Sequence, residues 1–474
     1  MVVNTPKLSL SLGTESDVGL SEQRALLIMP YSVAEYKKDV DINLLPDSHL
    51  KNMLLKFREL NKFTKLSYIG VVATGTPTNA TATITINSGV AFATSIEIFL
   101  LDTTSLISIP ANSSIEVISG LIATSLIANK YVENVDISVD FITLTITLND
   151  LLIGDLGNNI YFNTNTTLLT FGNFTGGSFV ADYDLDLITD DRYQNIILSN
   201  VFNGKKLADF MKARFNNDYV LLDGIAIKHY QNKGEVDIDL IDNNQCMVQL
   251  ISSKTKENYD AHSVIFGALR SLRFTDGANL TQLVDASAGV SNNVGGINMS
   301  SIPYHNTNLN KYIELNGEVY SMQETLDFEA KRLTLIDYDL SGYNVLINDV
   351  FTSYKIDEAG NDDNTYKFLN NVDIALNVRE LFFNKIKAKT KQSTLATGGK
   401  AISNRGQLSV ESVKTGLLSV YQDLIALGIV EDELNFKKNL FVNFDKQNQL
   451  IQLQYYIYPI QALRSIVGKL IVKI

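Results

Sequence analysis

Leu50, Met53, Leu54, Phe57 and Leu60 recur at the spacing of one helical stripe, behind Asp47 and Ser48, either of which can cap a helix. A helix is therefore expected over "DSHLKNMLLKFREL". A second stripe runs through Val413, Leu417, Val420, Leu424 and Leu427 of "VESVKTGLLSVYQDLIALG", with Gly428 placed to end it. "NLFVNFDKQNQLIQLQYYIYP" reads as two strands around a "DKQN" turn. Between these lie "YQNIILS", "YVLLDGIAIK" and "CMVQLIS" as strands, and "GKKLADFMKARF" and "AHSVIFGALRSL" as helices, an alternation that suggests an α/β layer.

Period two marks both ends of the chain. Leu8, Leu10 and Leu12 alternate with Lys7, Ser9 and Ser11. In "SIVGKLIVKI", Ile466, Gly468, Leu470, Val472 and Ile474 make one face, and Val467, Lys469, Ile471 and Lys473 the other. A strand with one apolar face is not stable alone in water and needs the edge of a sheet. Each end is therefore expected to act as an arm that completes a sheet, in its own chain or in a neighbouring copy.

Composition then divides the chain. From about 69 to 180 a single basic residue, Lys130, stands against eight acidic ones, and Thr, Ile, Asn, Ser and Gly dominate. Runs such as "ATATITI", "SIEIFLL" and "ITLTITL" recur between turn signals, which predicts an inserted, mostly-β domain with a helix near "GLIATSLIANKY". The expected organisation is an arm over 1–20, a first core segment over 21–68, the insert over 69–180, a middle α/β part over 181–345, a C-terminal domain over 346–463 and a second arm over 464–474. The fold class is mixed α/β (α+β) and multidomain.

The chain has 474 residues, 45% of them hydrophobic and 19% charged, which suits two to four folded domains. No run approaches the twenty or so apolar residues of a membrane helix. The start lacks the basic-then-apolar pattern of a secretory leader. The one cysteine, Cys246, allows no internal disulfide. Folding in a cytoplasm is expected, and the N-x-S/T triplets at Asn79, Asn112, Asn165 and Asn173 read as chance. Net charge is −12, yet residues 351–474 hold 16 Lys and Arg against 12 Asp and Glu, a net of +4. Such asymmetry suggests a partner met at one face, and so acidic a chain is not expected to bind free nucleic acid.

Motifs for chemistry are few. No phosphate-binding glycine loop or H-E-x-x-H is present, and His49, His229, His262 and His305 follow no ligand spacing. Asp182, Asp184 and Asp186, and again Glu235, Asp237 and Asp239, alternate as on a strand face, where carboxylates could gather Ca²⁺ or Mg²⁺. No glycine-bent loop shapes either set into a cage, so a solvated strand face is the preferred reading. Lys385, Lys387, Lys389 and Lys391 lie on neighbouring faces of an expected helix, followed by Lys400 and Arg405. They are either a solvated helix end or a docking face for an acidic surface.

The order and spacing of several segments resemble the contractile tail sheath proteins of Mu-like bacteriophages. They are "SEQRALLIMPY", "LPDSHLKNMLLKFRELNKFTKLSYIGV", "VDFITLTITLNDLLIGDLGNNIYF", "VIFGALRSLRFTDGANLTQL", "FTSYKIDEAGNDDNTYKFLNNVDIALNVREL" and "ISNRGQLSVESVKTGLLSVYQDLIALGIVEDELNFKKNLFVNFDKQN". The loop "DEAGNDDNTYKFLNN" and the stretch 281–340 depart from that pattern. The resemblance implies a virion structural protein without catalytic residues, cofactor or metal. It implies stacked hexameric rings around a tail tube, contraction on a baseplate signal, and terminal arms donated to neighbouring subunits. Partners would be further copies, the tail tube protein, and baseplate and tail terminator proteins, with assembly in the host cytoplasm and no insertion into a membrane. The core would be discontinuous, built from both chain ends and lining the tube, and the insert would face outward. On that reading Leu8, Leu10 and Leu12 form the N-terminal joint, and Ile466, Leu470, Ile471, Val472 and Ile474 the C-terminal one. Lys385, Lys387, Lys389, Lys391, Lys400 and Arg405 would then dock the tube. The sheath of a phage-derived injection particle is the near alternative. An α/β metal- or ligand-binding enzyme and an adhesin using the Thr/Asn-rich insert are the distant ones.

Overall fold

The computed structural model describes residues 2–5, 22–189, 191–215, 222–231, 234–236, 243–252, 256–274, 302–305, 307–315, 320–338, 342, 345–357, 359–390, 394–395, 407–445 and 450–460. The fold is mixed α/β with several sheets. At its centre is a nine-stranded sheet in the order 307–308, 345–347, 333–338, 247–252, 225–230, 195–198, 24–30, 65–71, 35–37. The six strands from 333–338 to 65–71 run parallel, and the outer ones are antiparallel. Arg24–Pro30 and Ile225–Tyr230 are almost wholly buried, as parallel strands covered on both faces must be.

The helix His49–Leu60 joins two of these strands. Ser48, not Asp47, caps it: the Ser48 hydroxyl accepts from the Lys51 N–H. Its buried residues include Leu50, Met53, Leu54, Phe57 and Leu60, the whole expected stripe. It packs beside the helix Tyr259–Arg273, where Gly267 lets the backbone approach Ile197 and Ile227 of the sheet.

A second core lies wholly within residues 80–174. Four strands (Leu169–Phe171, Thr81–Ile86, Thr143–Leu148, Val132–Ile137) and three (Phe162–Thr164, Thr94–Leu100, Thr103–Ile109) enclose it with the helix Ile115–Ile127. In Thr81–Ile86 the isoleucines and Ala82 point inward and the threonines outward. The helix begins five residues before the expected "GLIATSLIANKY", because Ser114 caps it.

Two strand expectations are corrected. Asp182, Asp184 and Asp186 lie in an extended loop that ends in a 3₁₀ turn, not in a strand. The carboxylates are exposed while Tyr183, Leu185 and Ile188 are buried, so the alternation reports a loop laid on the core. Glu235 stands in a helical turn over 234–236, where its carboxylate accepts from the Gln231 N–H. Asp237 and Asp239 lie outside the described residues.

The long helix Leu369–Thr390 crosses the amino ends of the central strands. Arg270 reaches Asp373 Oδ1 through both Nε (3.0 Å) and Nη2 (2.7 Å), and Tyr304 donates to Asp373 Oδ2 at 2.6 Å. Arg192 bridges Asp223 (2.8 Å) and Glu380 (2.7 Å), and Arg379 lies 3.4 Å from Asp223. Every one of these side chains except Arg192 is under 10% exposed. Lone buried charges are too costly to keep, so each is paired.

Candidate assembly surface and the switch-point crevice

At the far end of the long helix a small sheet forms. Phe441–Asp445 and Leu450–Tyr456 make a hairpin, and Val2–Thr5 pairs antiparallel with Leu450–Tyr456. Val442, Leu453 and Tyr455 point into an aromatic cluster with Phe382, Tyr421 and Phe436. The Tyr421 hydroxyl donates to Glu431 O at 2.6 Å, which fixes the helix Val410–Ala426 against the next turn. Leu427, expected on the buried stripe, is 42% exposed; Tyr421 and Gly416 complete that face instead. Gly428 ends the helix with φ at +68°, a conformation that suits glycine.

The opposite row of the hairpin is polar. Asn443 donates to Gln452 at 3.1 Å, and Gln452 and Gln454 are exposed. Phe441 (58% exposed) and Leu434 (83%) flank exposed Lys437 and Lys438. Among the described residues nothing pairs with the outer edge of Phe441–Asp445. An edge of unpaired N–H and C=O groups is a template for a further strand.

Of the residues expected to act at interfaces, Lys385 and Lys387 are half-buried on the long helix, and Lys387 Nζ lies 5.3 Å from the Phe383 ring centre. Lys389 is in the same helix, its side chain outside the described residues. Lys391, Lys400, Arg405, Leu8, Leu10, Leu12, Ile466, Leu470, Ile471, Val472 and Ile474 also lie outside them. Sequence reading missed Val2–Thr5, Leu434 and Phe441. The exposure of the last two depends on how the helix Glu433–Asn439 and the hairpin sit on the core, which no local pattern shows.

The α/β layer has the feature on which a ligand reading would rest. Strands 24–30 and 195–198 are neighbours whose chains leave to opposite sides, and open α/β sheets bind ligands at such points. There Asp260 takes hydrogen bonds from His49 Nε2 (2.9 Å), Ser199 Oγ (2.6 Å) and the Asn200 N–H (2.7 Å). Serine and histidine both bond the carboxylate rather than each other. A nucleophilic relay needs the hydroxyl on the imidazole and the imidazole on the acid, so this set joins no relay. Ser199 and Asp260 are fully buried, and the network closes the crevice. Beside it lies a cavity of about 640 Å³ lined by Tyr31, His49, Glu133, Asp150 and Phe179 among others. No grouping of three His, Cys, Asp or Glu suited to a metal occurs among the described residues, and no described helix is long and apolar enough to cross a membrane.

No family model matches the chain, and no curated protein does. Among solved structures it is similar to a chain in the cryo-EM structure of the anti-feeding prophage baseplate, 6-fold symmetrised. That likeness covers 99% of this chain and 96% of the other at 7% identity, with a TM-score of 0.48. It is similar to the anti-feeding prophage helical sheath in the contracted state (7% identity, 98% and 99% covered, TM-score 0.46). It is also similar to a sheath tail protein of Listeria innocua (9% identity, 94% and 93% covered, TM-score 0.45). Similarity this low transfers no residue's role. The chain is thus similar, over most of its length, to a chain of the anti-feeding prophage baseplate, to that prophage's helical sheath and to a sheath tail protein.

Proposed function

We infer that this chain is a structural subunit of a contractile tail sheath, polymerising with copies of itself around a tube and working without catalysis. The terminal sheet carries this reading. Val2–Thr5 sits on the sheet edge of a hairpin more than 440 residues away in sequence. Residues 6–21 lie between it and the next described segment. In the single chain this strand closes on its own hairpin; exchange of the identical element between copies would use the same pairing with a neighbour's hairpin. The outer edge of the strand Phe441–Asp445, on which no other described strand lies, offers a second place, which the apolar face of 466–474 suits.

The insert and the terminal sheet support the radial arrangement that goes with this function. The insert rests at the carboxyl ends of the central strands, and the long helix that carries the terminal sheet crosses their amino ends. On this reading the insert faces outward and the terminal unit faces the tube. On that side Lys385, Lys387, Lys437 and Lys438 would meet an acidic tube. Stacked hexameric rings and contraction through a host envelope complete the reading, for a phage tail or for a related injection particle.

Negative-stain electron microscopy of the purified full chain tests it. Striated hollow tubes are the expected image. Removal of 466–474, or of residues 1–5, leaves a folded monomer that no longer polymerises. A monodisperse monomer at high concentration, with or without tube protein, overturns the reading.

A further inference from the structure

The seat of the insert on the central layer stands over a buried pair of histidines. Three side chains of the layer reach insert carbonyls. Gln231 Nε2 donates to Asp155 O (3.2 Å), Asn258 Nδ2 to Leu156 O (3.3 Å) and the Tyr259 hydroxyl to Asn159 O (3.4 Å). These bonds are long, and the cavity of about 640 Å³ opens beside the same junction. Two connecting segments complete the joint, tied to each other by Thr74–Val180, Thr78–Ser178 and Thr81–Thr175 backbone bonds. The seat also has an apolar part, Phe179 beside Phe202 and Ile153 against the central core, but the insert's own core lies separately within 80–174, and a joint of this kind can open while both cores stay folded.

Directly under it, the Tyr259 ring stacks on His229 with centroids 5.5 Å apart. His229 meets His262 edge to face at 4.9 Å. One hydroxyl serves both imidazoles: Ser252 Oγ is 3.0 Å from His229 Nε2 and 3.0 Å from His262 Nδ1. A hydroxyl carries one hydrogen, so it donates to one ring and accepts from the other, an arrangement that suits two neutral rings. His229 Nδ1 has no hydrogen-bond partner among the described residues, and both rings are fully buried.

Several charged and titratable groups surround the pair. Asp260, on the same helix, is engaged by His49, Ser199 and Asn200. Lys56, on the helix His49–Leu60, repels a cation at His262. Glu235 and Tyr320 act on Tyr259, and the Tyr320 hydroxyl is bonded to Ser252 O. Lys228, next to His229, lies over the Tyr230 ring.

We propose that the His229–Ser252–His262 cluster is an acid-sensitive latch, which holds the insert on the central layer through Tyr259 and releases it when the pair is protonated. The sign follows from burial. Desolvation holds His229 well below the ordinary imidazole value and His262 at about 3, so neither ring takes up a proton while seated. A released form that hydrates a ring titrates near 6.5. Each ring so hydrated multiplies the released-to-seated ratio by about ten for every pH unit below that value, down to the seated pKa.

Hydrogen exchange of the full chain between pH 7.5 and 4.5, corrected for the intrinsic rate, reads the latch directly. Amides of 155–159 and 175–181 are expected to lose about 100-fold protection at pH 4.5 for one ring hydrated on release and about 10⁴-fold for both, while those of 24–30 and 195–198 keep theirs. The H229Q variant flattens that pH slope. Y259F is the second variant: it loosens the same amides at pH 7.5 and keeps the wild-type slope. Equal slopes in wild type and H229Q overturn the proposal, as does simultaneous loss of protection in the insert seat and the central strands. Should H229Q fail to fold, a Y259F chain without excess opening at pH 7.5 overturns it equally.

Discussion

Tyr421 and Phe436 lie face to face, ring centroids 3.7 Å apart and planes 3° from parallel. The stack joins the helix Val410–Ala426 to Glu433–Asn439, and Tyr455 of the hairpin closes against Phe436 from the side. The platform under the terminal sheet is therefore aromatic and wholly buried at these three residues. Phe436→Ala is expected to cost about 3–5 kcal/mol, the range for emptying a buried aromatic site. Urea unfolding measures the loss, and protection of Leu450–Tyr456 in hydrogen exchange falls with it. Unchanged protection of that strand would mean the stack does not support the sheet.

Arg270 and Asp373 join the central layer to the long helix from positions 103 residues apart. Arg270→Ala leaves Asp373 buried with the Tyr304 hydroxyl as its remaining hydrogen-bond partner among the described residues, at a cost of about 3–5 kcal/mol. Replacing both partners with apolar residues of similar volume recovers most of that loss, because the charge itself disappears. A double variant no more stable than R270A in urea would contradict this account.

Gly267 is a helix position where alanine ought to help by up to about 1 kcal/mol. Here a Cβ meets Ile197 Cδ1 at 2.6 Å, and forcing extra volume into a packed core costs about 1–3 kcal/mol. Crowding wins, so Gly267→Ala lowers the melting temperature. Adding Ile197→Val, which removes the atom in the way, restores it; a double variant no better than G267A would exclude the clash as the cause.

Cys246 is fully buried, and desolvation pushes its thiol well above the ordinary cysteine value. A thiol without accessible thiolate does not react. The native chain is expected to give no colour with an aromatic disulfide reagent at pH 8 and one equivalent of thiol in denaturant. Rapid labelling of the native chain would place Cys246 at a mobile surface.

Local periodicity carried far. The stripe Leu50–Leu60 faces the core as its spacing requires, and the Thr/Ile alternation of Thr81–Ile86 sorts into the insert's inner and outer faces. Both are short-range patterns in which sequence spacing maps directly onto one side of an element. Where a loop imitates a strand the rule misleads: 182–186 alternates because it drapes over the core, without ladder hydrogen bonds.

What the sequence by itself determined is the kind of element at most positions, the acidic, threonine-rich character of 69–180 and the lack of familiar catalytic motifs. Tertiary structure decided which elements meet. Asp260 serves His49 from 211 residues away, Asp373 serves Arg270 from 103, and Val2–Thr5 finds Leu450–Tyr456 from the other end of the chain. Such pairings leave no local period, because they depend on strand order and on burial. A charge taken from water must have its partner within hydrogen-bond reach, wherever in the chain that partner lies.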